Sequence, residues 1–252
     1  MGHSGSKEAM PQSYPSNNNP YQSTQSTTAS SPPGAHFPLS FNVYFEKSWS
    51  RLNLLFGQDQ NQPLYGASLP EGWYGKLLMH NGPNVKDSAT LATVKDGGKW
   101  GCHSEIILSE HMSGGLPIRE EMHVHGGLMH MAYLFSTPIG GGRSEKFEWR
   151  RARRHELKPL GESSRGWKLV RLGEHYDKDK KDEVEREIVA LWAEPKMFKM
   201  GNMSFTKAAT FQFVNSGATG ELGDVWALMA VVTFTRVWQR VMQLAIGASA
   251  AA

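Results

Sequence analysis

The stretch Asp224–Ile246, DVWALMAVVTFTRVWQRVMQLAI, is the most apolar in the chain. The fold turns on whether it crosses a membrane or fills a protein core. Asp224 suits the N-terminus of a helix, as a cap and as a charge at the positive end of the dipole. From Val225 to Val232 every residue is apolar, so no side of the helix is made for water and its first two turns should be surrounded. Arg236, Gln239, Arg240 and Gln243 then fall at i, i+3, i+4 and i+7. They form one polar stripe, which places the last turns at the surface on that side. The uncharged run from Val225 ends at Thr235, 11 residues long, well short of the about 20 that a membrane span needs. A wider window puts Arg236 at its centre, at about 2.5–3.5 kcal/mol on insertion scales. A helix enclosed by a sheet meets neither difficulty.

Upstream, from Leu39 to Val214, the signals are those of strands. Short runs rich in Val, Ile, Thr, Tyr, Phe and Trp alternate with turn residues. Strands are expected at 39–45, 51–56, 63–68, 74–80, 90–95, 99–107, 118–125, 128–136, 145–151, 166–172, 187–194 and 205–214. HNGPN, KDGGK, MSGGLP, TPIGGG and EHYDKDKKDE mark turns between them. Phe147 and Trp149 share one strand face and Lys146, Glu148 and Arg150 the other. The fold class is therefore mainly β, and a meander of about twelve strands suggests a closed barrel or a sandwich.

Composition divides the chain. Residues 1–38 hold 8 Ser and 6 Pro, with Lys7 and Glu8 as their only charges. That is too little apolar surface to offset ordering entropy, so a disordered tail is expected over 1–38. The barrel domain is expected over 39–247, with a short disordered tail at 248–252. The net charge of +3 falls on the domain. The single cysteine, Cys102, allows no internal disulfide and favours a reducing, intracellular compartment. The N-terminus has no apolar h-region, so no secretory signal peptide is expected. It reads MGHSGSK instead, in which Gly2 and Ser6 fit the N-myristoylation pattern.

PLYGASLP, KLLMHNGP, FEWRR, GWKLVR and GELGDVWALMAVVTFTRVWQRV, with the strands-then-apolar-helix order, resemble the tubby C-terminal-like superfamily. The likeness spans about residues 39–246 and is strongest to uncharacterised fungal tubby-like proteins. That superfamily includes the tubby proteins, the phospholipid scramblases and the LURP-one-related proteins. The resemblance implies a roughly twelve-stranded barrel threaded by its C-terminal helix. Tubby proteins bind phosphoinositides through basic side chains on the barrel, and no residue is carried over from them to this chain. Fold alone does not set function.

Two constellations carry possible chemistry. In IREEMHVHGGLMHMAYLF, a two-residue turn at Gly126-Gly127 would set His123 opposite His130, with His125 and Glu121 on the same face. Three imidazoles and a carboxylate suit Zn²⁺ or Fe²⁺. The opposite face reads Ile118, Met122, Val124, Met129, Met131, Tyr133 and Phe135, so it is the core side and the histidines face solvent. No metal and no other cofactor is then expected. EWRRARRHELK brings Arg150, Arg151, Arg153, Arg154 and Lys158 together against Glu148 and Glu156. Guanidinium groups pair with phosphate in a bidentate way.

The expected function is non-enzymatic: a monomeric intracellular module docking on anionic, phosphoinositide-type lipid at a membrane surface. Arg150, Arg151, Arg153, Arg154 and Lys158 would read the lipid and acylated Gly2 would supply a second anchor. A metal-dependent enzyme built on His123, His125 and His130 is one alternative. A nuclear or protein-interaction factor is another. Aromatics interleaved for base stacking are sparse in the Arg cluster, so no specific nucleic acid is expected. The expected location is cytoplasmic, peripheral at the inner face of the plasma membrane.

Overall fold

The computed structural model describes residues 1–2, 36–46, 52–97, 103–113, 115–126, 131–161, 165–173, 186–195 and 207–250. The chain divides into two units, Met1–Ser30 and Ser31–Ala252. In the first, Met1 and Gly2 are described and both are exposed. Cys102, Met129 and His130 lie outside the described residues.

The second unit is a closed antiparallel barrel. Its strands are β1 (Ser40–Phe45), β2 (Leu52–Gly57), β3 (Tyr65–Leu69), β4 (Leu77–His80), β5 (Thr90–Gly97) and β6 (His103–Leu108). They continue with β7 (Ile118–His125), β8 (Ala132–Pro138), β9 (Ser144–Arg151), β10 (Gly166–Gly173), β11 (Ile188–Ala193) and β12 (Lys207–Phe213). Each strand pairs with the next, and β1 pairs with β12 to close the ring. A one-turn helix, α1 (Glu110–Ser113), lies between β6 and β7, and α2 (Gly223–Ala250) follows β12.

All twelve expected strands are present, and alternation sorts their side chains. On β9, Phe147 and Trp149 are buried inside, as are Met122 on β7, Tyr133 and Phe135 on β8, and Trp192 on β11. The folded part starts before Leu39: Phe37 packs against the core, its ring tilted against Tyr65 with centroids 4.4 Å apart.

The helix fills the barrel. Leu228–Gln239 is buried at every position, which a helix lying on one face of a sheet cannot achieve. Its side chains reach strands all round the ring. Trp226 meets Phe147 and Phe213, Phe234 meets Trp192 and Phe211, and Trp238 meets Phe45 and Trp73. Trp149 Nε1 donates to Thr233 Oγ1 at 2.9 Å. α2 enters at the end carrying the β8–β9 and β10–β11 connections, termed the entry end. It leaves at the end carrying the β3–β4, β7–β8 and β9–β10 connections, the exit end. Asp224 lies one residue inside the helix, 3.5 Å from His36 Nδ1. The helix also runs to Ala250, through part of the segment expected to be a tail, where its Ala-rich sequence favours it.

The polar stripe corrects the sequence reading. Val225 and Ala227, in the entry turn, are only partly buried, whereas Arg236, Gln239 and Gln243 are inside. Arg236 Nε donates to Ser104 Oγ at 3.0 Å and its NH1 to Gln239 Oε1 at 2.6 Å. Its NH2 donates to Asp96, which also accepts from Arg240. Gln239 Nε2 donates to the Trp73 and Gly75 carbonyls at 2.8 and 3.0 Å, and Gln243 Nε2 to Trp73 at 2.6 Å. The stripe faces the inner wall and the β3–β4 turn, where polar partners stand in for water. Burial pulls Arg236 down to about 10, Arg240 adds to the fall and Asp96 opposes it, so the group stays charged at neutral pH.

Two expectations test this packing. Met229→Asp sets an unpaired carboxylate in a dry core at a cost of several kcal/mol, so a soluble, cooperatively unfolding variant would contradict an enclosed helix. Asp96→Ala strands the Arg236 charge and should cost about 3–5 kcal/mol in denaturant unfolding. Arg236→Met should cost less, because Asp96 is partly exposed and keeps Arg240.

Candidate functional site

The Arg cluster begins on β9 and continues into the β9–β10 connection at the exit end, and the structure divides it. Arg150 is on the outer wall, paired through Nε with buried Glu148. His125 Nε2 lies 2.5 Å from the other Glu148 oxygen, off the line of a hydrogen bond. Arg151 is on the inner face, continuing the row of Phe147 and Trp149. Its guanidinium sits 4.4 Å over the Trp167 ring at the barrel mouth. Glu194 faces it there: burial pushes the Glu194 carboxyl up, and Arg151 and Arg165 pull it back. Arg150 and Arg151 therefore do not join one surface.

Arg153, Arg154 and Lys158 do. Leu157 is wholly buried against Leu191 and Ala193, which pins the connection to the barrel. Lys158–Leu160 forms a 3₁₀ turn, with Pro159 fixing its start. Glu156 accepts from the Arg153 backbone N–H at 2.6 Å and from Lys168 Nζ at 2.5 Å. The nearby carboxylate is thus engaged elsewhere. Arg153, Arg154 and Lys158 are exposed, and among the described residues no acid side chain pairs with them. The same end exposes Tyr74 (63%) and Leu244 (51%).

The entry end has the opposite character. Arg171 donates to Glu145 at 2.6 and 3.1 Å, to Glu221 at 3.2 Å and to Glu187 at 3.5 Å. Arg143 also reaches Glu145 at 3.0 Å. Asp59, Asp87, Glu110 and Asp224 lie around the same rim. The exposed Leu39, Leu64 and Leu116 there stand among acids rather than cations.

The histidines are arranged differently from the expected trio. β7 and β8 do not pair in the register that a two-residue turn at Gly126-Gly127 would set. His123 is opposite Leu134, not His130. On the other side His123 is opposite His103 of β6, with their Nδ1 atoms 3.0 Å apart. Glu121 Oε2 is 3.5 Å from His123 Nε2. Among the described residues no three His, Cys, Asp or Glu groups form a metal-holding cluster. Glu120 shares the inward face of β7 with Met122, and burial pushes its carboxyl up.

No helix among the described residues is long and apolar enough to cross a membrane. Comparison with family models, with curated proteins and with solved structures returns no match.

The Arg171 network implies an acid dependence. The hydrogen bond from Arg171 holds the Glu145 carboxyl below the usual range. A depressed carboxyl contributes stability in full above its unfolded value, about 4.3, and loses it as pH falls through the folded value. Glu145→Gln should therefore cost about 1–3 kcal/mol at pH 7. The variant and wild-type stabilities should converge as pH drops below the carboxylate range. A constant gap down to acid pH would contradict this.

Proposed function

We propose that the protein is a non-enzymatic docking module that sets its exit end against an anionic membrane surface. The observation that carries this is the part of the β9–β10 connection anchored by Leu157, which offers Arg153, Arg154 and Lys158 to solvent without carboxylate partners among the described residues. Cations free of internal partners keep their attraction for phosphate headgroups. Tyr74 and Leu244, exposed at the same end, suit the interfacial zone in which amphipathic aromatics and aliphatic tips settle. Among the described residues the entry rim offers no such cluster: Arg143 and Arg171 are tied to glutamates, and the exposed Lys86 adjoins Asp87.

The lipid reading therefore narrows from five cations to three. Arg150 is paired with Glu148, and Arg151, although exposed, lies over the Trp167 ring with Glu194 opposite it. A barrel threaded by its last helix also supports the resemblance to the tubby C-terminal-like superfamily, and with it a phosphoinositide-type headgroup as ligand. Acylation of Gly2 would add the second anchor that a single basic patch needs for stable attachment. Docking would then be peripheral, at the cytoplasmic face of the plasma membrane.

Sedimentation of the unmodified protein with vesicles tests the reading. Vesicles containing phosphoinositide should carry it down and neutral vesicles should not, with binding falling as salt rises. At about 1 kcal/mol per cation, Gln at 153, 154 and 158 together should weaken binding roughly a hundredfold at low salt. Arg150→Gln should leave it unchanged. Equal binding by the triple variant, or equal affinity for neutral vesicles, would overturn the proposal. In cells, Gly2→Ala should shift the protein from membrane to soluble fractions.

A further inference from the structure

The outer wall of β6 and β7 holds a pair of groups that lipid docking does not use. His103 and His123 are direct cross-strand partners. Their rings lie with centroids 4.5 Å apart and planes at 69°. The two Nδ1 atoms are separated by 3.0 Å, and both rings are partly open to solvent. Two neutral imidazoles can share that gap only as one Nδ1–H donor facing one Nδ1 lone pair.

The same separation suits a metal ion. Imidazole nitrogens bind zinc at about 2.0–2.1 Å. Two such bonds, meeting at an angle between a right angle and the tetrahedral one, hold their nitrogens about 2.9–3.4 Å apart. The backbone ladder fixes both rings on one face of the sheet, so little chain entropy is lost in bringing them together. Glu121 supplies a further element. Its carboxylate is 3.5 Å from His123 Nε2, the nitrogen a metal on Nδ1 would leave free. A carboxylate on the outer nitrogen of a ligating histidine fixes the tautomer and raises the ligand's basicity. His125, the next residue on this face of β7, is directed instead to Glu148.

We propose that His103 and His123 form a two-histidine site for a borderline first-row divalent cation, Zn²⁺ or Cu²⁺, with Glu121 orienting His123. With both rings neutral, binding releases no net proton; the ring that donated through Nδ1 moves its proton to Nε2. Among the described residues no third protein ligand joins the pair. The site differs from the expected trio in using His103, while His125 is directed to Glu148. It also bears on the interior, because Ser104 follows His103 on β6 and receives the Arg236 hydrogen bond. A cation there would tie the β6–β7 seam together at the level where the helix is held.

Calorimetric titration of tag-free, chelator-stripped protein at pH 7.5 tests this with Zn²⁺ and, separately, Cu²⁺. One equivalent should bind and raise the thermal unfolding midpoint, as any ligand selective for the folded state does. Mg²⁺ and Ca²⁺, which prefer oxygen ligands, should do neither. His103→Ala and His123→Ala should each weaken that site at least tenfold while still unfolding cooperatively without metal. His125→Ala should retain it. Should either variant fold poorly, Cu²⁺ broadening of histidine ring resonances in the wild type gives the same answer, being strongest at His103 and His123 among the ten histidines. Undiminished binding in both variants, equal loss with His125→Ala, or broadening strongest at other histidines would overturn the proposal.

Discussion

Arg236 brings a full charge into the middle of a sealed barrel, and much of the exit half is arranged around it. Stripping a guanidinium of water is costly, and the cost is met only if the remaining donors find acceptors. Asp96, Ser104 and Gln239 supply them, from β5, β6 and the helix itself. Gln239 in turn reaches the Trp73 and Gly75 carbonyls, which fixes the β3–β4 turn. Hydrophobic packing is non-directional and would tolerate several depths of insertion. This set of hydrogen bonds fits one, so it sets how far α2 passes through the ring.

Helix depth in turn sets the character of the two ends. At the entry end the loops gather carboxylates around Arg171 and leave an acidic rim. At the exit end the β9–β10 connection hangs on Leu157 and turns three cations outward. The described parts of the two ends thus differ: one gathers acids around Arg171, the other turns Arg153, Arg154 and Lys158 outward toward a phosphate-rich partner. An electric asymmetry of this kind orients a molecule before contact, because the field acts over about a Debye length.

Much of this was legible in the chain. Twelve short β-rich runs between turn residues are a direct record of the pleat, and the all-apolar stretch from Val225 could only be a filled interior. Three features were not. Periodicity shows that Arg236, Gln239, Arg240 and Gln243 share a side, but not whether that side meets water or the Asp96 and Ser104 of distant strands. Gly126-Gly127 is a good turn signal, yet β7 and β8 pair in another register, with His125 opposite Ala132. That shift removed the His123–His130 pairing. His103 was missed as its partner because the pairing of β6 with β7 depends on a register that no local signal fixes. By contrast, the division of the Arg cluster could have been read: extending the Phe147–Trp149 alternation by one step sends Arg151 inward and leaves Arg150 outside.

The order of elements along the chain has a consequence for biogenesis. Ser40 Oγ donates to the Phe211 carbonyl, 171 residues later, so the ring cannot close until β12 has been made. The helix that fills it is made later still. A nascent chain leaving the ribosome therefore holds eleven strands whose inward faces, with Trp149, Trp167 and Trp192, have nothing to pack against. Contacts of such long sequence separation form slowly and leave apolar surface exposed meanwhile. Folding of the ring therefore waits for β12 and α2, and the apolar inward faces stay uncovered until both are made.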